Sequence, residues 1–209
     1  MLGEVKQDGN GPIGLTVEGL KKTPYLVPLE ETVVQIASGN DHLCMLTGKG
    51  EIYTMGCGEQ GQLGRIAECF SIRGGRKGVG ILLDPSVVYC KRVRGKGKVL
   101  FDGIWCSNYC TFARVQGGGY YGWGLNNYHH LGLEDVKSWF TPQPILSFSD
   151  VQVESVAGGQ HHTVLLDKED PGTSKRPTRR ELLEVKNIRR HPGIAVLAEQ
   201  SGMVCVAAV

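Results

Sequence analysis

One pattern of residues occurs twice in this chain and begins a third time. Residues 33–64 return 68 positions later as residues 101–132, and the first half of the pattern returns again at residues 153–170. Each copy runs through a short apolar segment, a turn of glycine and polar residues, a second apolar segment and a glycine turn. Short runs of β-branched and aromatic residues between glycines are typical of antiparallel strands and hairpins. The pattern therefore predicts an all-β fold, and 30 glycines in 209 residues agree with many tight turns.

Each repeat is too small to bury its own faces, so the copies have to stack against one another. Repeating β units of roughly 40–50 residues form the blades of a β-propeller, in which each blade is a four-stranded antiparallel sheet. We therefore predict blades at about residues 33–64, 101–132 and 153–170. Together they would form a partial β-propeller that covers residues 1–170.

Two repeat positions should supply the core. Leu63 and Leu131 occupy the same position near the end of the first two repeats, where glycines let the backbone turn sharply. Met55 and Trp123 likewise share a position in the third strand of the pattern. We expect Leu63 and Leu131 to fill the gaps between blades, and Met55 and Trp123 to fill the blades themselves.

The sequence shows no pattern for a cofactor, a metal or a membrane. Residues 56–61 match the dinucleotide-binding pattern GxGxxG, but the equivalent stretch 124–130 keeps only its first glycine, so these glycines belong to a blade turn. The seven cysteines form no CxxC pair, which favours free thiols in a reducing compartment and no metal site. No run of about 18 apolar residues is present, so we expect no membrane contact.

Positive charge is concentrated in residues 65–98, which hold nine Lys and Arg residues against two acidic ones. We predict an exposed, loop-rich, basic insertion there, in which Lys91, Arg92 and Arg94 contact nucleic-acid phosphates in a salt-dependent way. A basic loop that is only solvated explains the same composition, and the sequence leaves both interpretations open. Residues 171–209 are also basic and lack the blade pattern, so we expect a divergent, poorly ordered tail.

Several segments, taken in order, resemble one known family. The stretches VVQIASGNDHL, EIYTMGCGEQGQLGR, GWGLNNYHHLG and GGQHHTV are similar to successive parts of the regulator of chromosome condensation family, over about residues 8–169. The insertion between Gly64 and Phe101 also resembles an insertion at the same place in that family. Members of the family are guanine-nucleotide exchange factors for the small GTPase Ran, built as seven-bladed propellers. The resemblance implies that this chain is a fragment of such a propeller.

The resemblance also implies a function. The chain would bind Ran and speed the release of its nucleotide by stabilising the nucleotide-free GTPase, without covalent chemistry and without a cofactor. It would act in the nucleus on chromatin, with nucleosomes or DNA as a second partner, although the absence of the family's basic N-terminal tail leaves a cytoplasmic location open. Because the family's docking face is built by loops around the whole ring, we expect this truncated chain to be a weak or inactive exchange factor. The alternative is a non-catalytic propeller scaffold for protein–protein interaction.

The resemblance also indicates which residues of this chain would contact the GTPase. Residues 6–13 align with the family's β-wedge, which inserts against the GTPase, and both Gly9 and Pro12 depart from the family pattern. The transferred residues are Asp8, Gly9, Asn10, Gly11, Asp41, His129 and either His161 or His162, which the alignment does not separate. His42, in the same repeat slot as His162, is interpreted instead as a structural histidine of the blade.

Overall fold

The computed structural model describes residues 3–4, 20–21, 26–27, 29–68, 81–90, 97–148, 152–159, 163–167, 197–199 and 203–205. Nearly all regular structure in these residues is β-strand. Three four-stranded antiparallel sheets account for most of it, and a further pair joins β1 (Gly3–Glu4) to β2 (Leu20–Lys21). The prediction of an all-β fold with four-stranded antiparallel sheets is confirmed.

The first two sheets are built in the same way, each from four strands in chain order. The first sheet consists of β3 (Val33–Ser38), β4 (His42–Thr47), β5 (Ile52–Cys57) and β6 (Ile81–Val87). The second sheet consists of β7 (Phe101–Cys106), β8 (Cys110–Val115), β9 (Tyr120–Gly124) and β10 (Trp139–Pro144). The two repeats detected in the sequence therefore become two sheets of the same topology.

Gly56 and Gly124 show why both repeats carry glycine near the end of the third strand. Their φ angles are +112° and +115°, in the region that favours glycine. An added Cβ atom would lie 2.4 Å from the carbonyl oxygen of Asp41 at Gly56, and 2.2 Å from that of Tyr109 at Gly124. Glycine thus allows the third strand to approach the first turn of its own blade.

The third sheet begins like the others, with β11 (Val153–Gly158) and β12 (Thr163–Asp167). It is completed by β13 (Leu197–Glu199) and β14 (Met203–Cys205), and its order is β11-β12-β14-β13. The segment 171–209, for which the sequence predicts a divergent, poorly ordered tail, thus contributes two short strands to this sheet. The edge of β12 offers backbone donors and acceptors to any nearby extended segment. Such pairing does not require the segment to have the repeat sequence, so the repeat pattern does not predict it.

The basic stretch 65–98, predicted to be an exposed, loop-rich insertion, contains one strand. Within it, Ile81–Val87 forms β6, the outer strand of the first sheet, and Val88 and Cys90 are buried. Pro85 suits this position because an edge strand does not need every N–H group for pairing. The strand was not evident from the net charge of the whole stretch, because the basic residues lie on both sides of an apolar run. Residues 69–80 and 91–96 lie outside the described residues.

The first strands of the three sheets lie next to one another, as in the blades of a propeller. The Gln35 side chain of β3 donates to the Ile104 carbonyl of β7 at 2.7 Å and accepts from the Ile104 N–H at 3.0 Å. Trp105 of β7 donates its indole N–H to the Glu154 carbonyl of β11 at 3.0 Å. Adjacent blades are thus joined along their inner strands.

Apolar clusters fill the sheets and the gaps between them. One cluster contains Trp123 with residues of the first and second sheets, and another contains Leu131 with residues of the second and third. Leu63 and Leu131 are 1% and 0% exposed, and Met55 and Trp123 are 6% and 0% exposed, so the predicted core positions are buried. Burial of each leucine contributes roughly 1.5–3 kcal/mol to folding.

Candidate functional site

The strands of a blade alternate in direction, so the connections between them fall at two opposite ends. Residues 39–41, 107–109 and 159–162 connect the first and second strands of the three blades at one end, and residues 125–138 connect β9 to β10 at the same end. We call this end the Asp41 face. The β4–β5 and β8–β9 turns lie at the other end, which we call the Gly50 face.

The turns of the Asp41 face interlock from blade to blade. The Asn40 N–H donates to the Asn108 carbonyl oxygen at 3.0 Å. An added Cβ atom on Gly39 would lie 2.6 Å from the Ser107 carbonyl oxygen, and one on Gly158 would lie 2.1 Å from the Ser107 Cβ. Ser107 is therefore enclosed by the backbone of the first and third blades, and these contacts set the spacing of the turns.

Asp41 is exposed on a turn whose backbone is held on several sides. Its carbonyl oxygen accepts the Cys57 N–H at 2.7 Å, and the Gly39 N–H donates to the His42 carbonyl at 3.0 Å. Together with the Asn40 bond to the second blade, these contacts present the carboxylate from a fixed backbone. A rigid turn costs less conformational entropy on binding than a loop that must first be ordered.

His42 is a structural residue of the interface between the first two blades. It is buried, and its Nε2 atom lies 3.0 Å from the Thr111 Oγ1 atom. The Thr111 hydroxyl donates its single proton to the Gln62 carbonyl oxygen at 2.9 Å, so Nε2 carries the proton and donates to Thr111. The same carbonyl also accepts the Trp123 indole N–H at 2.9 Å. This bonding agrees with the interpretation of His42 as a structural histidine.

His129 has a backbone conformation that is unusual for a residue other than glycine. Its φ is +55°, and the equivalent position of the first repeat is Gly61, with φ +88°. Its Nδ1 atom donates to the Leu133 carbonyl oxygen at 3.0 Å, because a carbonyl can only accept. A left-handed conformation of this kind costs on the order of 1 kcal/mol and is often found at functional sites. The ring is thereby fixed in position on the Asp41 face.

A buried asparagine holds the loop that carries His129. The Asn126 side chain donates to the Asp135 carbonyl at 2.6 Å and accepts the Leu131 N–H at 3.0 Å, which ties the two ends of the loop together. Tyr128 is 47% exposed on the same loop and makes an edge contact with His130. The sequence prediction missed Tyr128, although an exposed aromatic residue in a blade turn is a signal for a binding surface.

The structure describes two of the predicted site residues, Asp41 and His129, and places both on the Asp41 face. The others lie outside the described residues: Asp8, Gly9, Asn10, Gly11, Lys91, Arg92, Arg94, His161 and His162. The chain leaves β11 and enters β12 at the Asp41 face on either side of His161 and His162. Cys90 and Gly97, which flank the basic residues, follow β6 and precede β7 at the Gly50 face.

The described part of the chain shows neither a metal-binding cluster nor a membrane-spanning helix. It contains no group of three or more His, Cys, Asp or Glu side chains placed to hold a metal ion. None of its helices has the length and apolar character needed to span a membrane.

Comparison with known proteins identifies the repeat. Residues 33–62 and 117–166 match models of the regulator of chromosome condensation (RCC1) repeat. The mouse protein named regulator of chromosome condensation is 50% identical over 167 residues, which are 78% of this chain and 39% of the mouse protein. The guanine nucleotide exchange factor SRM1 of Saccharomyces cerevisiae is 31% identical over 157 residues, which are 72% of this chain and 29% of SRM1.

A solved structure shares the blade arrangement. Prp20p from Saccharomyces cerevisiae, described together with its binding properties to Gsp1p and histones, superposes with a TM-score of 0.60 at 27% identity. The match covers 80% of this chain and 36% of Prp20p. The chain covers 39% of the length of its mouse relative. The matched repeats, the sequence identity and the stacked blades together establish that the chain belongs to the regulator of chromosome condensation family.

Proposed function

We propose that this chain carries part of the exchange surface of a guanine-nucleotide exchange factor for the small GTPase Ran, and that it acts by binding alone. Its relatives are named for chromosome condensation and for guanine nucleotide exchange, and they are longer than this chain. The observation that carries the proposal is Asp41, an exposed carboxylate on a turn that the second blade holds through the 3.0 Å bond to Asn108.

The chemistry of exchange gives such a carboxylate a role. An exchange factor accelerates nucleotide release because it binds the nucleotide-free GTPase more tightly than the nucleotide-bound form. A negative charge at the phosphate and magnesium site weakens binding of the anionic nucleotide, and it can pair with a GTPase cation that the phosphates leave behind. Asp41 has the charge, the exposure and the rigid support for this role.

His129 supports the same proposal from the second blade. It lies on the Asp41 face, its ring is oriented by the Nδ1 bond to Leu133, and its strained backbone is retained where the first repeat has glycine. We infer that Asp41 and His129 belong to one GTPase-binding surface. We also infer that residues 1–170 form the propeller part of the chain, and that residues 8–11 act as the wedge.

We expect the 209 residues by themselves to have weak exchange activity. Loops from around a complete ring share the docking surface in the family, so the described blades supply only some of the contacts. Displacement of catalytic contacts by about 1 Å can cost on the order of a hundredfold in rate. We expect detectable binding to nucleotide-free Ran, with slower nucleotide release than a complete ring produces.

Release of fluorescent GDP from Ran, together with binding to nucleotide-free Ran, tests the proposal. The chain should accelerate release, and Asp41→Asn should reduce both the acceleration and the binding by about tenfold, or roughly 1.4 kcal/mol. Asp102→Asn is the matched control, because Asp102 is an exposed aspartate at the Gly50 face. It should leave both measurements within about twofold of wild type. Equal effects of the two variants would contradict a specific role for Asp41.

A non-catalytic scaffold is the alternative function. The blades are joined by direct hydrogen bonds and apolar clusters, so they can form a rigid binding module without exchange activity. If the folded chain neither accelerates GDP release nor binds nucleotide-free Ran, the scaffold function is supported and the exchange function is rejected.

We further propose a nuclear protein whose basic segment contacts nucleosomal DNA. The flanks of that segment, Cys90 and Gly97, lie at the Gly50 face, so DNA and the GTPase would occupy opposite ends of the blades. Changing Lys91, Arg92 and Arg94 together to Glu should weaken DNA binding and reduce its salt dependence. Unchanged binding of both DNA and Ran would mean that the segment is only solvated.

A further inference from the structure

We propose that Cys106 is an oxidation site for hydrogen peroxide, and that the product is a disulfide with Cys44 that joins the second blade to the first. The proposal concerns two cysteines to which the exchange function assigns no role. It does not depend on Ran binding, so its test is independent of the test of the proposed function.

The position of the two cysteines carries the proposal. Cys44 on β4 is the register partner of Ala37 on β3. Bonds to the second blade bracket Ala37, from Gln35 to Ile104 on one side and from Asn40 to Asn108 on the other. Cys106, which ends β7, lies between those two attachment points. The two blades therefore meet where the cysteines lie, and both Ala37 and Cys106 pack against the apolar cluster that contains Cys44.

The two thiols differ in exposure in the way that a stepwise oxidation requires. Cys44 is fully buried at 0% exposure, whereas Cys106 is partly exposed. Of these two cysteines only Cys106 has exposed surface, so a small oxidant should reach Cys106 before Cys44. Cys44 is then the buried thiol in place to react with the oxidised sulfur.

The groups around Cys106 favour its thiolate. A hydrogen bond with Cys44 lowers the pKa of Cys106 to about 5, against the opposing effect of burial. Burial raises the pKa of Cys44, which keeps that thiol protonated. Cys110 on β8 lies in the other apolar cluster, with residues of the second and third sheets. Burial raises its pKa to about 12, and its Sγ donates to the Leu125 carbonyl at 3.0 Å. The thiolate is the nucleophilic form of cysteine, and among Cys44, Cys106 and Cys110 only the pKa of Cys106 is lowered.

The reaction proceeds in two steps and needs only peroxide. The Cys106 thiolate attacks one peroxide oxygen, the O–O bond breaks, and the released hydroxide takes a proton to become water, which leaves Cys106 as a sulfenic acid. The Cys44 sulfur then attacks the Cys106 sulfur as its proton is lost. The S–O bond breaks, and the hydroxide leaves as a second water. Overall, two thiols are oxidised to a disulfide while one peroxide is reduced to two waters.

The test is oxidation of the full chain by hydrogen peroxide between pH 6 and pH 8, followed by peptide mapping of every cysteine. Cys57 is the internal control, because it is also partly exposed but burial raises its pKa. The Cys106 rate should stay within about twofold across this range, whereas the Cys57 rate should rise about tenfold per pH unit. The first linked peptide pair should be Cys44–Cys106, and a thiol reductant should reverse it. A Cys106 rate that follows the Cys57 rate, or a different first disulfide, would overturn the proposal.

A variant separates the two steps. In Cys44→Ser the disulfide cannot form, but the serine hydroxyl can still donate a hydrogen bond to the Cys106 sulfur. Sulfenic acid should then accumulate at Cys106, where dimedone traps it. The pH dependence of the unmodified chain remains decisive if this core variant does not fold. Failure to trap Cys106 in a folded Cys44→Ser chain would also overturn the proposal.

Discussion

The Nε2 atom of His42 in the first blade lies 3.0 Å from the Oγ1 atom of Thr111 in the second blade. The Thr111 hydroxyl in turn donates to the Gln62 carbonyl at 2.9 Å, so a continuous set of buried hydrogen bonds crosses the interface. His42 directly follows Asp41 in the chain, and the bond therefore also supports the turn on which Asp41 is exposed. Stability and the position of the candidate site depend on the same contact.

Replacement of Thr111 by valine should weaken this interface. The change removes the acceptor of the His42 N–H, and a buried donor left without a partner costs about 1–3 kcal/mol. The free energy of unfolding, measured with urea, should fall by that amount. Thr141→Val is the control, because Thr141 is exposed on β10 and its replacement should change stability by less than about 0.5 kcal/mol. Equal losses for the two variants would contradict the role of the bond.

The two repeat leucines should be equally important to stability. Leu63→Ala and Leu131→Ala should each lower the free energy of unfolding by about 2–5 kcal/mol, through lost burial and the cavity that remains. Leu146 is 83% exposed, so Leu146→Ala should have little effect. A large difference between the Leu63 and Leu131 variants would show that the two repeat positions are not equivalent in packing.

Alanine substitutions at Gly124 and Gly118 should distinguish the cost of backbone strain from the cost of a steric clash. Their φ angles are similar, at +115° and +110°, but an added Cβ at Gly124 meets the Tyr109 carbonyl at 2.2 Å, whereas one at Gly118 meets nothing within 4 Å. Gly118→Ala should therefore cost only the left-handed backbone penalty of about 1–2 kcal/mol. Gly124→Ala should cost clearly more, as measured by thermal or urea unfolding. Similar losses would mean that the chain relaxes around the new methyl group.

His129→Gly should separate function from stability. Glycine relieves backbone strain of on the order of 1 kcal/mol but loses the hydrogen bond to Leu133, which is of similar size, so unfolding should change by less than about 1 kcal/mol. Binding to nucleotide-free Ran should nevertheless fall if the ring contacts the GTPase. Unchanged binding in a folded variant would make His129 a turn residue without a partner role.

The Cys106 thiolate should make stability depend on pH in reducing buffer. The folded-state pKa is lowered to about 5, so the stabilisation is present above the ordinary cysteine pKa and is lost as pH falls through the folded value. The difference in unfolding free energy between wild type and Cys106→Ser should grow from pH 5 to pH 9, by at most about 1.4 kcal/mol per pH unit. A difference that is constant over this range would contradict a lowered pKa.

The repeat alone was sufficient to predict the blades and their buried positions. Leu63 and Leu131, or Met55 and Trp123, occupy equivalent places because equal units stacked in a series give equal residues equal neighbours. Three strands could not be predicted in this way. β6 lies inside a basic stretch that has no counterpart in the other repeat, and β13 and β14 pair with β12 from a segment without the blade pattern.

The side-chain contacts between blades cannot be predicted by aligning the repeats with one another. By the 68-residue offset, Cys44 corresponds to Phe112 and Cys106 corresponds to Ser38, so no comparison of the copies brings the two cysteines together. Their proximity arises from the packing of β3 and β4 against β7, and the bond between His42 and Thr111 arises in the same way. The order of residues thus specified the strands that belong to the repeat, since these strands pair with their neighbours along the chain. Only the folded arrangement of neighbouring blades placed Asp41, His42 and Cys106 in their environments, because those contacts join residues far apart in the chain.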